Sequence, residues 1–448
     1  MFENARKREK NGENVIAEEK PKSIFRVFLE QFADLLSVSK DTLRRWDNSG
    51  KLKARRNGIS GYRYYTETEL QICEQLELFF PESKNADNAV KPNNHYTSIE
   101  LFAGAGGLAL GLEEAGLHHV MLNEYDDVAC KTLKKNRPEW NVIEGDIHNI
   151  DFSIYQGKVD VVTGGFPCQA FSYAGKKLGF EDARGTLFFE WARAVKEIKP
   201  KICVGENVRG LLSHDNGKTI KGMIDVLTEL GYTVLKPQVL KAIYYKVPQK
   251  RERMILVGIR NDISTEFFYP KPSRHIYTTK DALKKGPLFD CDVPKSEGEK
   301  YPEKKRKVLE LVPPGGYWRD LPIEIQKEYM QKSYYLGGGK TGMARRISWD
   351  EPCLTLTCAP AQKQTERCHP DETRPFTIRE YARIQTFPDN WEFEGSMSRQ
   401  YKQIGNAVPV NLAKEIGYSI VDFLNRYYKT KDEQNIHNDE YKISRVAI

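Results

Sequence analysis

No stretch of this 448-residue chain approaches the ~18 consecutive apolar residues that a membrane-spanning helix needs, which excludes an integral helical membrane protein. Its first residues, MFENARKREKNGENV, are too polar for a signal peptide, and this predicts a cytoplasmic location. Cysteine is sparse: the eight are scattered and none forms a CxxC pair, so neither a disulfide framework nor a zinc ribbon is expected. Cys353, Cys358 and Cys368-His369 fall in one region, but their spacings match no usual zinc pattern, and no metal is predicted. A strong charge bias is also missing. Lys plus Arg at 69 against Asp plus Glu at 62 gives a net +7, which suits a polyanionic partner and equally an ordinary enzyme with a basic face. The length allows two or three domains.

Residues 1–23 are charged and aperiodic, the composition of a flexible arm. From Phe28, FLEQFADLL has the spacing of a short amphipathic helix, and Ser39 is placed to cap a second one that Gly50 ends. KLKARRNGISGYRYY then reads as a β-hairpin wing, and Thr66 with Glu69 as the capping box of a third helix ending at Pro81. The runs VSKDTLRRWDNSGKL and GYRYYTETEL resemble the winged helix-turn-helix of the MerR and excisionase type over residues 24–80. That resemblance makes Lys40, Arg44, Arg45, Arg56 and Arg63 candidate DNA contacts. Residues 81–96, rich in Pro, Asn and charge, read as a linker.

TSIELF (Thr97 to Phe102) has the pattern of a buried strand, followed by a glycine turn and the helix Leu108 to Ala115. Such a strand, loop and helix brings backbone N–H groups to an anionic or polar ligand. Gly104, Gly106 and Ala109 satisfy G-x-G-x-x-A, with Glu124 twenty positions after Gly104 where a ribose-binding acid is expected. On this signal alone NAD, FAD and S-adenosylmethionine remain open. A second strand, KVDVVTGGF, ends in Pro167-Cys168-Gln169, putting a cysteine at a strand's carboxyl end where α/β enzymes hold ligands.

FAGAGG, GGFPCQAFS, GENV, PQKRER, TIREYARIQTFPD and QIGNAVP occur in this order between Thr97 and Phe423, and together they resemble the motif series of the DNA cytosine-5 methyltransferases. Glu100 departs from the aspartate common in that family but keeps the carboxylate. The resemblance implies a Rossmann-like α/β methyltransferase domain with an inserted target-recognition domain, using S-adenosyl-L-methionine on cytosine in duplex DNA. Cys168 takes the role of the nucleophile that adds to carbon 6, because carbon 5 is too weak a nucleophile unaided. Glu206 takes the role of proton donor at ring nitrogen 3, Arg253 holds the base oxygen, and Arg251 with Arg253 orders the catalytic loop.

For the methyl donor the resemblance assigns Phe102 and Tyr125 to the adenine faces and Glu124 to the ribose hydroxyls. Asp146 falls to the adenine amino group and Asn406 to the amino-acid end, with Gly104, Gly106, Gly107, Ile147 and Pro167 lining the same site. The target base must be flipped from the helix. The loop from Gln169 to Gly185, with Gln169 and Ser172 as DNA contacts, has the small-residue composition of a segment closing over DNA. The expected division is catalytic domain at 97–272, recognition domain at 273–345, the remaining catalytic part and hinge at 346–428, and a polar tail at 429–448. A tRNA methylase and a regulator with an inactive methylase half are the rival readings. The DNA-type N-terminal block argues against the first, and the intact FPCQ, ENV and QKRER against the second. A functionally linked restriction endonuclease and operator DNA at the N-terminal block are the further partners expected.

Overall fold

The computed structural model describes residues 27–28, 32–33, 40–50, 52–56, 63–65, 89–167, 186–273, 275–335 and 342–446. It divides into two compact units, Met1–Lys84 and Asn85–Ile448.

In the first unit, helix α1 (Lys40–Ser49) precedes a strand pair, β2 (Arg55–Arg56) and β3 (Arg63–Tyr65), with β1 (Val27–Phe28) on the other side of β3. Gly50 ends α1 with φ +76°, a conformation only glycine adopts at little cost. Phe28, expected to open an amphipathic helix, instead lies in β1 opposite Tyr64, where strand pairing satisfies backbone groups a first helical turn would leave open. Helical geometry is present at Phe32 and Ala33. The Ser39 cap and the Thr66 to Phe80 helix lie outside the described residues. Phe32, Leu43, Leu52 and Tyr65 are buried, and the Phe32 ring stacks on Tyr65 at 4.0 Å. Asp47, 6 % exposed, joins helix to hairpin: it accepts from Arg63 Nε at 2.6 Å and Ala54 N at 3.1 Å.

The second unit is built on an eight-stranded sheet. β4 (Tyr96–Leu101), β5 (Leu117–Glu124), β6 (Val142–Glu144), β7 (Val161–Gly164) and β8 (Ile202–Val208) are parallel, in the order β6-β5-β4-β7-β8. β9 (Tyr232–Val234) and β10 (Gln238–Lys241) both pair with β12 (Glu252–Arg260), which runs antiparallel beside β8. The chain runs outward from β4 to β6 and then returns to β7 on β4's other side. The strand order therefore reverses beside β4, and the crevice outside the carboxyl ends of β4 and β7 is where such sheets bind ligands. A separate two-stranded pair joins β11 (Gln249–Lys250) to β13 (Cys353–Leu354).

Side chains alternate across the sheet. Met121 packs in one core with α4 (Leu187–Ile198) and α5 (Lys218–Glu229), while its neighbour Leu122 packs in the other. That second core takes in α2 (Gly107–Glu114), α3 (Asp127–Asn136), α6 (Thr279–Leu283), α9 (Ile378–Ile384), α10 (Met397–Asn406) and the start of α11 (Val410–Val446). Helix α2 approaches α11 so closely that a Cβ at Gly111 would strike Ala413, the Val410 carbonyl and the Lys414 amide. Within the interval predicted for recognition, Ala282 and Leu283 belong to this second core. Tyr301, Leu309, Val312, Trp318, Leu321, Met330, Met343 and Ala344 form a third cluster with Cys368, built around α7 (Glu303–Glu310) and α8 (Ile323–Met330).

Candidate functional site

A cavity of about 640 Å³ opens at the carboxyl ends of β4, β5, β7 and β8. The glycine turn after β4 shapes one wall: Phe102, Gly104 and Gly106 take φ values of +60°, +56° and +86° and deliver the chain to the N-terminus of α2. A side chain at Gly106 would also meet Leu133 and Trp391, so the turn requires glycine there on two counts. Glu124, at the end of β5, accepts from Gly104 N at 2.7 Å through one oxygen and from the Tyr125 and Asp126 amides at 2.9 and 2.8 Å through the other. The spacing of twenty residues is thus a direct hydrogen bond that ties the turn to β5.

Phe102, Gly104, Gly107, Glu124, Tyr125, Asp146, Ile147, Pro167 and Asn406 all line this one cavity, and Gly106 supports it from the turn. Tyr125 is 76 % exposed, an aromatic face left open at the rim. Asp146 accepts from its neighbour His148, at 3.0 Å from the amide and 2.6 Å from Nδ1, and these bonds hold its carboxyl below the ordinary range. At the floor, Glu206 on β8 and Arg253 on β12 meet with Arg253 Nε 2.5 Å from Glu206 Oε1. The approach is an ion pair without hydrogen-bond alignment, and Oε1 has no hydrogen-bond partner among the described residues. Burial pushes the Glu206 carboxyl above its ordinary value, against the opposing pull of Arg253 and Arg251.

Arg251 is the residue the structure keeps out of the cavity. It is 2 % exposed and donates to the carbonyls of Leu356, Gly405 and Asn406 at 3.3, 2.9 and 3.4 Å. Cys168, Gln169 and Ser172 lie outside the described residues; Pro167, next to Cys168, lines the cavity. In the first unit Lys40, Arg44 and Arg45 are exposed on α1, whereas Arg63 is turned onto Asp47 and Arg56 approaches the same carboxylate at 3.5 Å. Among the described residues no group of three or more His, Cys, Asp or Glu could hold a metal ion.

Several cavity residues hold places to which the motifs assigned no role. Asn207, beside Glu206, donates to the Phe166 carbonyl at 2.8 Å and so fixes the segment leading to Pro167. Glu100 is 1 % exposed, lines the cavity, and has an Oε2 without a partner among the described residues. Burial, reinforced by Glu124 and Glu206, drives its carboxyl well above its ordinary value. At the mouth, Arg399 and Lys402 of α10 reach Asp126 at 2.9 and 3.5 Å. Their three-residue spacing on one helix face is the only sequence signal they carry.

The model of the C-5 cytosine-specific DNA methylase family matches residues 96–422. The Escherichia coli Type II methyltransferase M.Eco47II is 65% identical over 403 residues, 90% of this chain and 96% of that protein. M.PspPI, a Type II methyltransferase of Psychrobacter, is 60% identical over 88% of this chain and 95% of its own length. Among solved structures, a DNA modification methyltransferase encoded within an E. coli prophage superposes with a TM-score of 0.53 at 23% identity, over 74% of this chain and 99% of that one. This last match bears on the fold alone. Residues 30–65 match the MerR family regulatory protein model, and residues 2–38 the N-terminus of cation transporter ATPases. No helix of the described residues is long and apolar enough to cross a membrane.

Proposed function

The chain belongs to the C-5 cytosine-specific DNA methylase family, and from that premise we propose that its cavity takes S-adenosyl-L-methionine beside a flipped cytosine, with Cys168, Glu206 and Arg253 carrying the reaction. The chain is thus a DNA methyltransferase acting at carbon 5 of cytosine. The observation that carries the finer reading is the Glu206–Arg253 pair at the floor of a cavity one wall of which is the glycine turn and Glu124.

The residues present fit the donor. Glu124 and Asp146 offer carboxylate acceptors to hydroxyl and amino groups, Phe102 and Tyr125 offer ring faces, and Glu100 leaves an oxygen without a hydrogen-bond partner among the described residues. The volume also falls in the range of ~300–1,000 Å³ usual for small-molecule sites. When bound, S-adenosyl-L-methionine supplies an electrophilic methyl group. Glu206, whose carboxyl burial pushes above its ordinary value, gives a proton to nitrogen 3, and Arg253 both orients that carboxyl and stabilises charge on the base oxygen. The Cys168 thiolate then adds at carbon 6, making carbon 5 nucleophilic toward the methyl group. Loss of the carbon-5 proton expels the thiolate and restores the ring.

A duplex carrying 5-fluorocytosine at the target tests this reading, since fluorine cannot leave as the proton does. A denaturation-resistant protein–DNA adduct that needs both S-adenosyl-L-methionine and Cys168 is expected. Turnover by Cys168→Ala near that of the unaltered chain would overturn it.

The Type II relatives support a role as the modification enzyme of a restriction-modification system, with a cognate endonuclease acting on the same sequence. The MerR match, and the exposure of Arg44 and Arg45, support operator binding by the first unit as a dimer, limiting the enzyme's own expression. Deleting residues 1–90 is then expected to abolish operator binding and spare target methylation.

A further inference from the structure

Cys358 has no role in the motif series, yet its Sγ lies 3.0 Å from Asn406 Oδ1, and Asn406 lines the cavity. The approach is built into the fold. The segment after β13 is fixed by Leu356 N, which donates to Gln249 Oε1 at 3.0 Å, and by Arg367, which donates twice to the Thr355 carbonyl. It then packs directly on the end of α10: a Cβ at Gly405 would meet the Thr357 carbonyl at 2.6 Å and the Cys358 amide at 2.8 Å. Glycine at that position lets Cys358 come beside the next residue, Asn406. Arg251 holds the same place by its backbone, donating to the Gly405 carbonyl at 2.9 Å and to that of Asn406 at 3.4 Å.

The thiol decides which end of the Asn406 amide is left for a ligand. Although Cys358 is exposed as a residue, desolvation at its sulfur raises the thiol above its ordinary value, against the pull of Arg251 and Lys402. At neutral pH the sulfur keeps its proton and donates, so the amide turns its oxygen to it. Asn406 Nδ2 then keeps two N–H donors that none of the described residues accepts. Asn406 stands beside the start of α2, because Ala407 and the Val408 carbonyl close in on the Gly107 position. That helix end has no side-chain cap. Amide donors next to the positive end of a helix suit a carboxylate, and the methyl donor carries one on its amino-acid end. A flipped Asn406 amide would present its oxygen to that carboxylate instead and repel it.

Resting on the reading that the cavity takes S-adenosyl-L-methionine with Asn406 at its amino-acid end, we infer that Cys358 is a positioning residue that orients the Asn406 amide toward the donor's carboxylate. The test is a double-mutant cycle on the full chain, with Cys358→Ala, Asn406→Ala and both together, plus Cys358→Ser. Donor affinity is read by titration calorimetry, and folding by the melting temperature. Cys358→Ala should weaken S-adenosyl-L-methionine binding about 3- to 10-fold, the worth of one modest hydrogen bond, while the methylation rate at saturating donor changes far less. Cys358→Ser, which keeps a donor, should restore most of the affinity. In the Asn406→Ala background, removing the thiol should cost nothing further, because the group it orients is gone. Equal losses in the two backgrounds would show a merely structural role and overturn the inference. So would a serine variant no better than alanine, or an Asn406→Ala chain that binds the donor as the unaltered one does. Should Asn406→Ala fail to fold, the contrast between serine and alanine at position 358 decides. An unaltered chain that binds no S-adenosyl-L-methionine would instead overturn the reading of the cavity, and this inference with it.

Discussion

Arg253 and Glu206 hold each other at 2.5 Å across neighbouring antiparallel strands, and Asn207, the residue between Glu206 and the strand end, ties the same place to the Phe166 carbonyl. Acid, cation and the approach to Pro167 are thus positioned by one strand end rather than by three separate loops.

Glu206→Gln keeps the shape and removes the ionisable proton. The single-turnover methylation rate is expected to fall about 10²- to 10⁴-fold, with S-adenosyl-L-methionine affinity changed far less. The protonated form is the active one, so in the unaltered chain activity declines as pH rises through the elevated Glu206 value. Rapid-quench rates across pH check both statements, and a pH profile identical in the two proteins would count against the assignment.

Glu100 supplies a stability test. Its folded-state value lies well above the ordinary 4.5, so the folded protein holds a proton that the unfolded chain releases. That contribution is complete below the unfolded value and is lost as pH rises toward the folded one. Glu100→Gln should flatten the decline of the melting temperature between acid and alkaline pH and change the acid end little. Parallel slopes for the two proteins in calorimetry would contradict it.

The parallel sheet and its ligand crevice were legible because buried strands and glycine turns have local signatures: TSIELF and Gly104 with Glu124 land where periodicity and spacing put them. Phe28 was misplaced because an apolar run of helical spacing does not reveal an available strand edge, and β3 offers one. The resemblance gave the base oxygen to Arg253 alone, but it grouped both arginines of QKRER at the catalytic loop and did not foresee the buried place of Arg251. Their difference arises from tertiary packing, since Arg251 meets the carbonyls at the end of α10, over 150 residues away, while Arg253 meets Glu206. Asp47 was overlooked for a similar reason: its partners Ala54 and Arg63 come from a hairpin that the helix cannot announce.

Asp47→Ala should therefore destabilise the first unit while leaving the catalytic unit intact. The loss is expected to be about 2 kcal/mol, below the ~3–5 kcal/mol of a fully buried pair because Arg63 retains some solvent contact. Burial raises the Asp47 carboxyl, but Arg63 and the Ala54 amide outweigh it and hold the group below its ordinary 3.8. The stabilisation is thus present above the unfolded value and lost as pH falls through the folded one. Faster proteolysis within residues 24–80 of the full chain, with methylation retained, is the expected readout.

Arg251→Ala should act on architecture and Arg253→Ala on chemistry, although the two are equally basic and two residues apart. Arg251 is the buried link from the end of β11 to Leu356 and to Gly405 and Asn406 at the end of α10, and Asn406 lines the cavity. Burial, reinforced by the charge on Arg253, pulls its guanidinium below the ordinary value, with Glu206 opposing that shift. Removing Arg251 leaves the three carbonyls without that donor and opens a void, at an expected cost of about 2–4 kcal/mol. The melting temperature and S-adenosyl-L-methionine affinity should fall together in Arg251→Ala. In Arg253→Ala, which loses the partner of Glu206 and a donor to the Glu252 carbonyl, the melting temperature should fall less than in Arg251→Ala. Donor affinity should be kept, and the methylation rate should drop by about 10²-fold or more. Calorimetry, donor titration and single-turnover rates on both variants separate the roles, and equal stability losses would show that the pair acts as one unit.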